Sequence, residues 1–304
     1  MSANQWGQTQ PRRRVEPAGG MCRRRLHSLW GGALLLSIVL RVALAIYYGD
    51  DVEAPLPRSD QVSYSTLAER LAGGYGYSFD SPWYPFTAAG TPTSHWSFLY
   101  TAFVAAVYTA VGMHPLAARL IQAVLGGFAL PWMVFRLTRR LLPQSEALAA
   151  LSAVAAAFYA YFVLYAALLM TETFFIVFVI WSLESSIRLL RAVRKDEAFP
   201  WRASIELGFS LGLAALTRQS ILPWAVVLFA ALFLGSGAWR RRQGFSRLSR
   251  SLGPLLLAGV LILACIAPFT IRNYRVYNRF LLLNSNSGYA MYSAQHPKIG
   301  RAHV

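Results

Sequence analysis

At 304 residues the chain is long enough for two soluble domains, but 56% hydrophobic against 14% charged residues excludes that class and points to a membrane protein. A formal net charge of +16 would suit nucleic acid, yet the arginines stand in short clusters between apolar runs and not along a polar face, which excludes that partner. Cys22 falls in a basic segment and Cys265 in a late apolar run, so no disulfide framework is implied.

Residues 1–28, rich in Gln, Pro, Gly and Arg, predict a disordered basic cytoplasmic tail whose arginines contact anionic lipid headgroups. Leu29 to Tyr48 supplies about the 20 apolar residues that a bilayer requires, with no small-x-small site before its polar exit, so it reads as a retained anchor. Arg41 inside it is expected to snorkel outward. An acidic, aromatic outer loop follows over 49–114. Further spans are predicted at about 115–136, 147–168, 170–190, 205–218, 220–238 and 252–271, which with the first makes about seven crossings.

The apolar run 97–112 is too short for a usual crossing. If it crossed, the clusters around Arg136 to Arg140, Arg188 to Arg202 and Arg240 to Arg250 would lie outside while the basic amino end stayed inside. Lying flat at the outer surface, it brings all of them into the cytoplasm, as positive residues in short loops prefer. The expected fold is therefore an all-α polytopic membrane protein with about seven transmembrane helices and an outer loop carrying interfacial helices. Its expected setting is a bacterial-type plasma membrane, with the amino terminus cytoplasmic. Residues 299–304 read IGRAHV, as one frame of a common sequencing-library adapter would, so the natural chain is expected to continue beyond about Lys298.

Ionisable residues near membrane depth carry the functional expectation, because hydrocarbon makes them expensive. Asp60 is followed at helical spacing by Tyr64, Leu67, Ala68 and Leu71, so it either caps a short surface helix or does chemistry there. Asp50, Asp51 and Glu53 read as a solvated acidic cluster. Glu172 is either a helix-start acid beside Thr171 or a second carboxylate in an outward cavity. Arg218 and Arg272 stand at outer ends of spans, against the positive-inside trend, and their forks suit phosphate oxygens. Arg275 and Arg279 are expected to snorkel to headgroups. His95 is a ligand, a proton shuttle or an interfacial residue. Tyr75, Tyr77, Trp83 and Tyr84 could stack on sugars or form an aromatic belt. Gly212 and Pro223 flank the Arg218 turn, where two half-length helices meet. No cluster has metal-ligand spacing, and no nucleotide loop, serine triad or CxxC pair occurs.

Taken in order, Asp60 with Tyr64, the acid in MTETFF, GLAALTRQS, and APFTIRNYRVYNRF leading to SNSGYAMY resemble the lipid-linked-sugar glycosyltransferases of the GT-C superfamily. The likeness is to the family-39-like group of protein O-mannosyltransferases and aminoarabinose transferases, and it covers about Leu29 to Pro297. The resemblance implies a glycosyltransferase core over 29–298 and a polyprenyl-phosphate sugar as donor. It implies Asp60 as the catalytic acid of the first outer loop, Glu172 as a second acid and Arg218 near the donor phosphate. It also implies Arg272 and Asn273 as a functional pair after the last span. Where many relatives carry a second acid after the first, this chain has Gln61, which puts metal dependence in question. Where some relatives carry a proline-rich or lysine element before the flat helix, it has TPTSHW, so the resemblance gives that part to His95 or Trp96.

Sugar transfer from a lipid phosphate needs a stabilised leaving group and a base for the acceptor hydroxyl. These requirements assign phosphate binding to Arg218 and Arg272, and general-base catalysis with inversion to Asp60 on the extracytoplasmic face. Acceptor or sugar contacts fall to Tyr64, His95, Trp96 and Asn273, and Glu172 orients the acceptor or a divalent cation. The acceptor is a glycan, lipid or protein hydroxyl. The competing expectation is a polytopic transporter or flippase of lipid-linked sugars, which would carry paired broken helices in two related halves.

Overall fold

The computed structural model describes residues 19–55, 59–84, 87–195, 198–237, 245–286, 288 and 291. Among them are ten helices and two isolated β-bridges. The helices are α1 (Gly19–Tyr48), α2 (Asp60–Ala72), α3 (Phe98–Val111), α4 (Pro115–Leu141), α5 (Glu146–Phe158), α6 (Ala160–Ala167), α7 (Glu172–Arg194), α8 (Trp201–Thr217), α9 (Ile221–Gly235) and α10 (Phe245–Tyr277). The chain is an all-α polytopic membrane protein. α1 begins at Gly19, inside the segment expected as a disordered tail. Residues 1–18 and the adapter-like 299–304 lie outside the described residues.

Four stretches are long and apolar enough to cross a bilayer: Trp30–Tyr48, α4, α7 and Ser251–Tyr277. The span expected at 147–168 is broken, with α5 and α6 meeting at 51°. α8 and α9 occupy the remaining two expected spans, at 17 and 15 residues. A helix rises about 1.5 Å per residue, so each is about 23 to 26 Å long, somewhat under a hydrocarbon thickness of about 30 Å. Leu35, Val226 and Leu256 remain exposed on outward faces, as lipid-facing residues must.

Arg41 explains how the broken span is tolerated. Tyr159 between the two pieces has an extended backbone, φ −63° and ψ 116°, so the last carbonyls of α5 lose their helical partners. Arg41 donates from Nη1 to the Ala157 carbonyl at 2.8 Å and from Nη2 to that of Ala156 at 3.5 Å. It is 1% exposed, so the outward snorkelling expected from sequence is corrected. Unsatisfied carbonyls in hydrocarbon cost several kcal/mol, and capping them outweighs reaching the headgroups.

Small residues set the tight contacts. A Cβ on Gly208 would meet Leu261 Cβ at 2.7 Å, and one on Gly212 would meet Cys265 Cβ at 2.7 Å. These glycines, one turn apart, let α8 lie directly on α10. A Cβ on Gly126 would meet Thr173 Cγ2 at 2.4 Å, and one on Gly127 would meet the Ile38 Cα at 2.9 Å, so α4 is pressed between α7 and α1.

One end of this bundle carries α2, α3 and the aromatic loop, which bury Tyr64, Leu67, Phe79, Tyr100 and Val104 in a cluster of their own. α3 touches α8 where Ser97 Oγ donates to the Leu216 carbonyl at 3.0 Å, and touches α4 where Tyr100 donates to Gln122 at 2.7 Å. At the other end Glu184, fully buried, accepts from Arg136 at 3.2 Å, Arg140 at 3.0 Å and Arg188 at 2.9 Å. The acidic and aromatic end and the arginine end are thus separated by the length of the spans.

Candidate active site

Asp60 is the first residue of α2, and Ser59 before it takes the cap position with extended backbone and no side-chain cap bond. The capping role weighed for Asp60 is therefore replaced by a place in the first turn, where free amides favour its charge. Burial raises its pKa above the ordinary carboxylate value, and the Arg218 guanidinium opposes that rise.

The next residue fixes where Asp60 stands. Gln61 is 1% exposed, and its Oε1 accepts from Arg119 at 3.1 Å and from the Leu169 amide at 3.0 Å. Its Nε2 donates to the Ala54 carbonyl at 3.1 Å. Arg119 in turn donates to the carbonyls of Gly49 at 2.7 Å and Asp51 at 2.6 Å. Gln122, one turn along α4, donates to the Leu168 carbonyl at 2.6 Å. These amide and guanidinium contacts bind the α1–α2 loop, the start of α4 and the α6–α7 turn into one piece. The acidic loop residues serve the same end. Asp50 accepts from the Leu116 amide at 2.8 Å, and Asp51 from those of Glu53 and Ala54 at 2.8 and 3.2 Å.

That turn leads directly into Glu172, the first residue of α7. Arg218, where α8 ends in extended backbone, donates from Nη2 to Glu172 Oε1 and from Nε to Thr171 Oγ1 at 2.9 Å. Glu172 is thus ion-paired to Arg218, and the charge of the same guanidinium acts at longer range on Asp60. Glu172 opens α7 in an ion pair with Arg218, and Thr171 at the cap position makes no side-chain cap bond.

Tyr64 follows Asp60 by one helical turn and packs edge-on to Trp96, ring centroids 5.8 Å apart, and to Tyr100 at 4.9 Å. Burial drives its phenol pKa well up, and the Asp60 charge adds to that. The Trp96 indole N–H is buried without a hydrogen-bond partner. His95 lies edge-on to Trp96 at 5.1 Å and lines a pocket of about 440 Å³ with Thr91, Thr93, Ser94 and Tyr277. Burial lowers its pKa, which favours the neutral imidazole. Of the loop aromatics, Tyr77 and Trp83 are committed within the fold, Tyr77 donating to Ser97 O at 3.1 Å and Trp83 to Ser63 Oγ at 2.9 Å. Tyr75 and Tyr84 stay exposed.

Arg272 and Asn273 are held elsewhere. Arg272 donates to the Thr93 carbonyl at 2.8 Å and lies over the rings of Tyr77, Phe269 and Tyr277. Asn273 is fully buried, donates to the Leu283 carbonyl at 2.8 Å and accepts from Arg272 at 3.1 Å. The pair clasps the chain after α10 against the aromatic loop, and Asn273 has no face open to a sugar. Among the described residues no group of three or more His, Cys, Asp or Glu converges on a metal position.

Sequence reasoning missed Gln61 as a positioning residue, together with Arg119 and Gln122. The signal was present in the polar side chains that interrupt PLAARLIQAVLGG.

Residues 97–271, more than half of the chain, match the family described as dolichyl-phosphate-mannose-protein mannosyltransferase. The matched stretch contains Glu172 and Arg218, whereas Asp60 precedes it and Arg272 follows it. No curated protein and no solved structure gives a significant match.

Proposed function

The chain belongs to the dolichyl-phosphate-mannose-protein mannosyltransferase family, and from that premise we propose that the Asp60, Glu172 and Arg218 group is its catalytic centre. Membership makes it a multi-pass membrane glycosyltransferase with a lipid-linked sugar donor. In the proposed reaction an acceptor hydroxyl attacks the anomeric carbon of a polyprenyl-phosphate sugar. Asp60 takes the hydroxyl proton, a C–O bond to the acceptor forms, and the bond to the phosphate oxygen breaks. A single displacement inverts the anomeric centre. Arg218 stabilises the charge that the departing phosphate acquires, and Glu172 with Thr171 holds the guanidinium in place. The centre faces the extracytoplasmic side in this reading.

The observation that carries the proposal is the joint position of Arg218, bonded to Glu172 and Thr171 while its charge acts on the half-buried Asp60. Two carboxylates about one cation are suited to separate roles, one as base and one as anchor. The discriminating experiment is sugar transfer from synthetic polyprenyl-phosphate donors by membranes holding the full-length protein. Asp60→Asn is expected to lower the rate by about two to four powers of ten. Wild-type rates in that variant would reject the base, and donor crossing vesicles without glycosylated product would favour a flippase. A divalent cation on Glu172 would have to compete with Arg218, so chelation with EDTA is expected to leave the rate unchanged.

A further inference from the structure

The arginine end of the bundle contains two adjoining concavities that the catalytic reading leaves unused. One, of about 470 Å³, is lined by Arg136, Arg139, Arg140, Arg191, Glu146 and the ring of Phe135. The other, of about 430 Å³, adds Arg188, Lys195 and Arg202, with Phe199 and Trp201. Arg140 and Arg191, bonded to each other, line both, so the two adjoin across this pair as the lobes of one basic trough.

Among the described residues, arginines outnumber carboxylates there. Six arginines line the lobes, and their ion pairs go to Glu146, Glu184 and Glu206. Glu184 is fully buried and takes three arginines at once, whereas Arg140 keeps 43% and Arg139 35% of its side chain exposed. Arg191 gives a bond to the Arg140 backbone carbonyl, a group without formal charge. Position supplies the second argument. α7 runs from Glu172 at the catalytic end to Arg194 here, 23 residues or about 34 Å, so the trough lies where the spans leave the hydrocarbon. Arginine forks match phosphate oxygens in pairs, and the apolar rims of Phe135, Phe199 and Trp201 suit the acyl side of a headgroup.

We propose that this trough binds the headgroup of an anionic phospholipid, and that a lipid carrying two phosphates fills both lobes at once. The site requires only that the chain spans the membrane, so it stands or falls apart from the role of Asp60.

The test uses the full-length protein in mild detergent, stripped of lipid and offered equal amounts of diphosphatidylglycerol, phosphatidylglycerol and phosphatidylcholine, with retained lipid read by native mass spectrometry. Diphosphatidylglycerol is expected to be retained in preference to the other two. The double substitution Arg139→Gln with Arg191→Gln is expected to reduce that retention about tenfold, the scale of one charge-assisted hydrogen bond. Glu146→Gln, which removes the lining acid paired with Arg139, is expected to raise it, and this arm remains decisive if the double variant folds poorly. Equal retention of the three lipids would overturn the proposal, as would unchanged retention in a folded double variant or no gain with Glu146→Gln. Displacement of the lipid by inorganic phosphate alone would overturn it too, because the site would then belong to a free anion.

Discussion

At Asp60 two forces oppose each other: burial favours the neutral acid and Arg218 favours the charged one. The acid limb of kcat/KM is therefore expected above the ordinary aspartate value of about 3.9. In Arg218→Gln the lowering influence is gone, so the limb should move to still higher pH, alongside a rate loss of about two to three powers of ten. A limb that moves downward in pH-rate measurements would remove Arg218 from the neighbourhood of the base. Linkage runs the same way. A raised folded pKa contributes stability that is present below the unfolded value and lost as pH rises through the folded one, so at neutral pH Asp60→Asn should melt no lower than wild type. Charges at span ends were readable in the sequence because each is costly unless used. What Arg272 and Asn273 do was not readable. An amide suits a sugar hydroxyl and a backbone carbonyl equally well, and it is the return of Leu281 to Leu283 against α10 that occupies Asn273.

Among the elements, the α8–α10 contact depends on the absence of side chains at Gly208 and Gly212. Gly212→Val should therefore lower stability by about 1 to 3 kcal/mol through overpacking against Cys265. Gly259→Ala on α10, where an added Cβ finds Phe229 at an ordinary 3.8 Å, should be neutral or slightly stabilising. Thermal unfolding of the detergent-solubilised protein distinguishes them, and equal melting points would contradict the close packing. Long apolar runs made four spans legible before any coordinates, since length and hydropathy alone define them. The break at Tyr159 was illegible for a different reason. SAVAAAFYAYFVLYAA carries no proline or glycine, and the extended backbone there is stabilised by an arginine more than 100 positions away in sequence.

For the molecule as a whole, the decisive asymmetry is chemical. One end gathers carboxylates, aromatics and Arg218, and the other gathers Arg136, Arg140 and Arg188 about Glu184. If positive residues face the cytoplasm, a cysteine placed at exposed Ser81 should react with a membrane-impermeant maleimide on intact cells, and one at exposed Gln144 should not. Both belong in a chain whose Cys22 and Cys265 have been changed to alanine. The reverse pattern would turn the whole arrangement over and place Asp60, Glu172 and Arg218 inside the cell.

Arg41 also bears on biogenesis. Without α1 beside it, the bent α5–α6 pair would present the Ala156 and Ala157 oxygens bare to lipid, where unpaired carbonyls are costly. α1 and the bent pair are therefore expected to come together during insertion, although more than a hundred residues separate Arg41 from the carbonyls it caps.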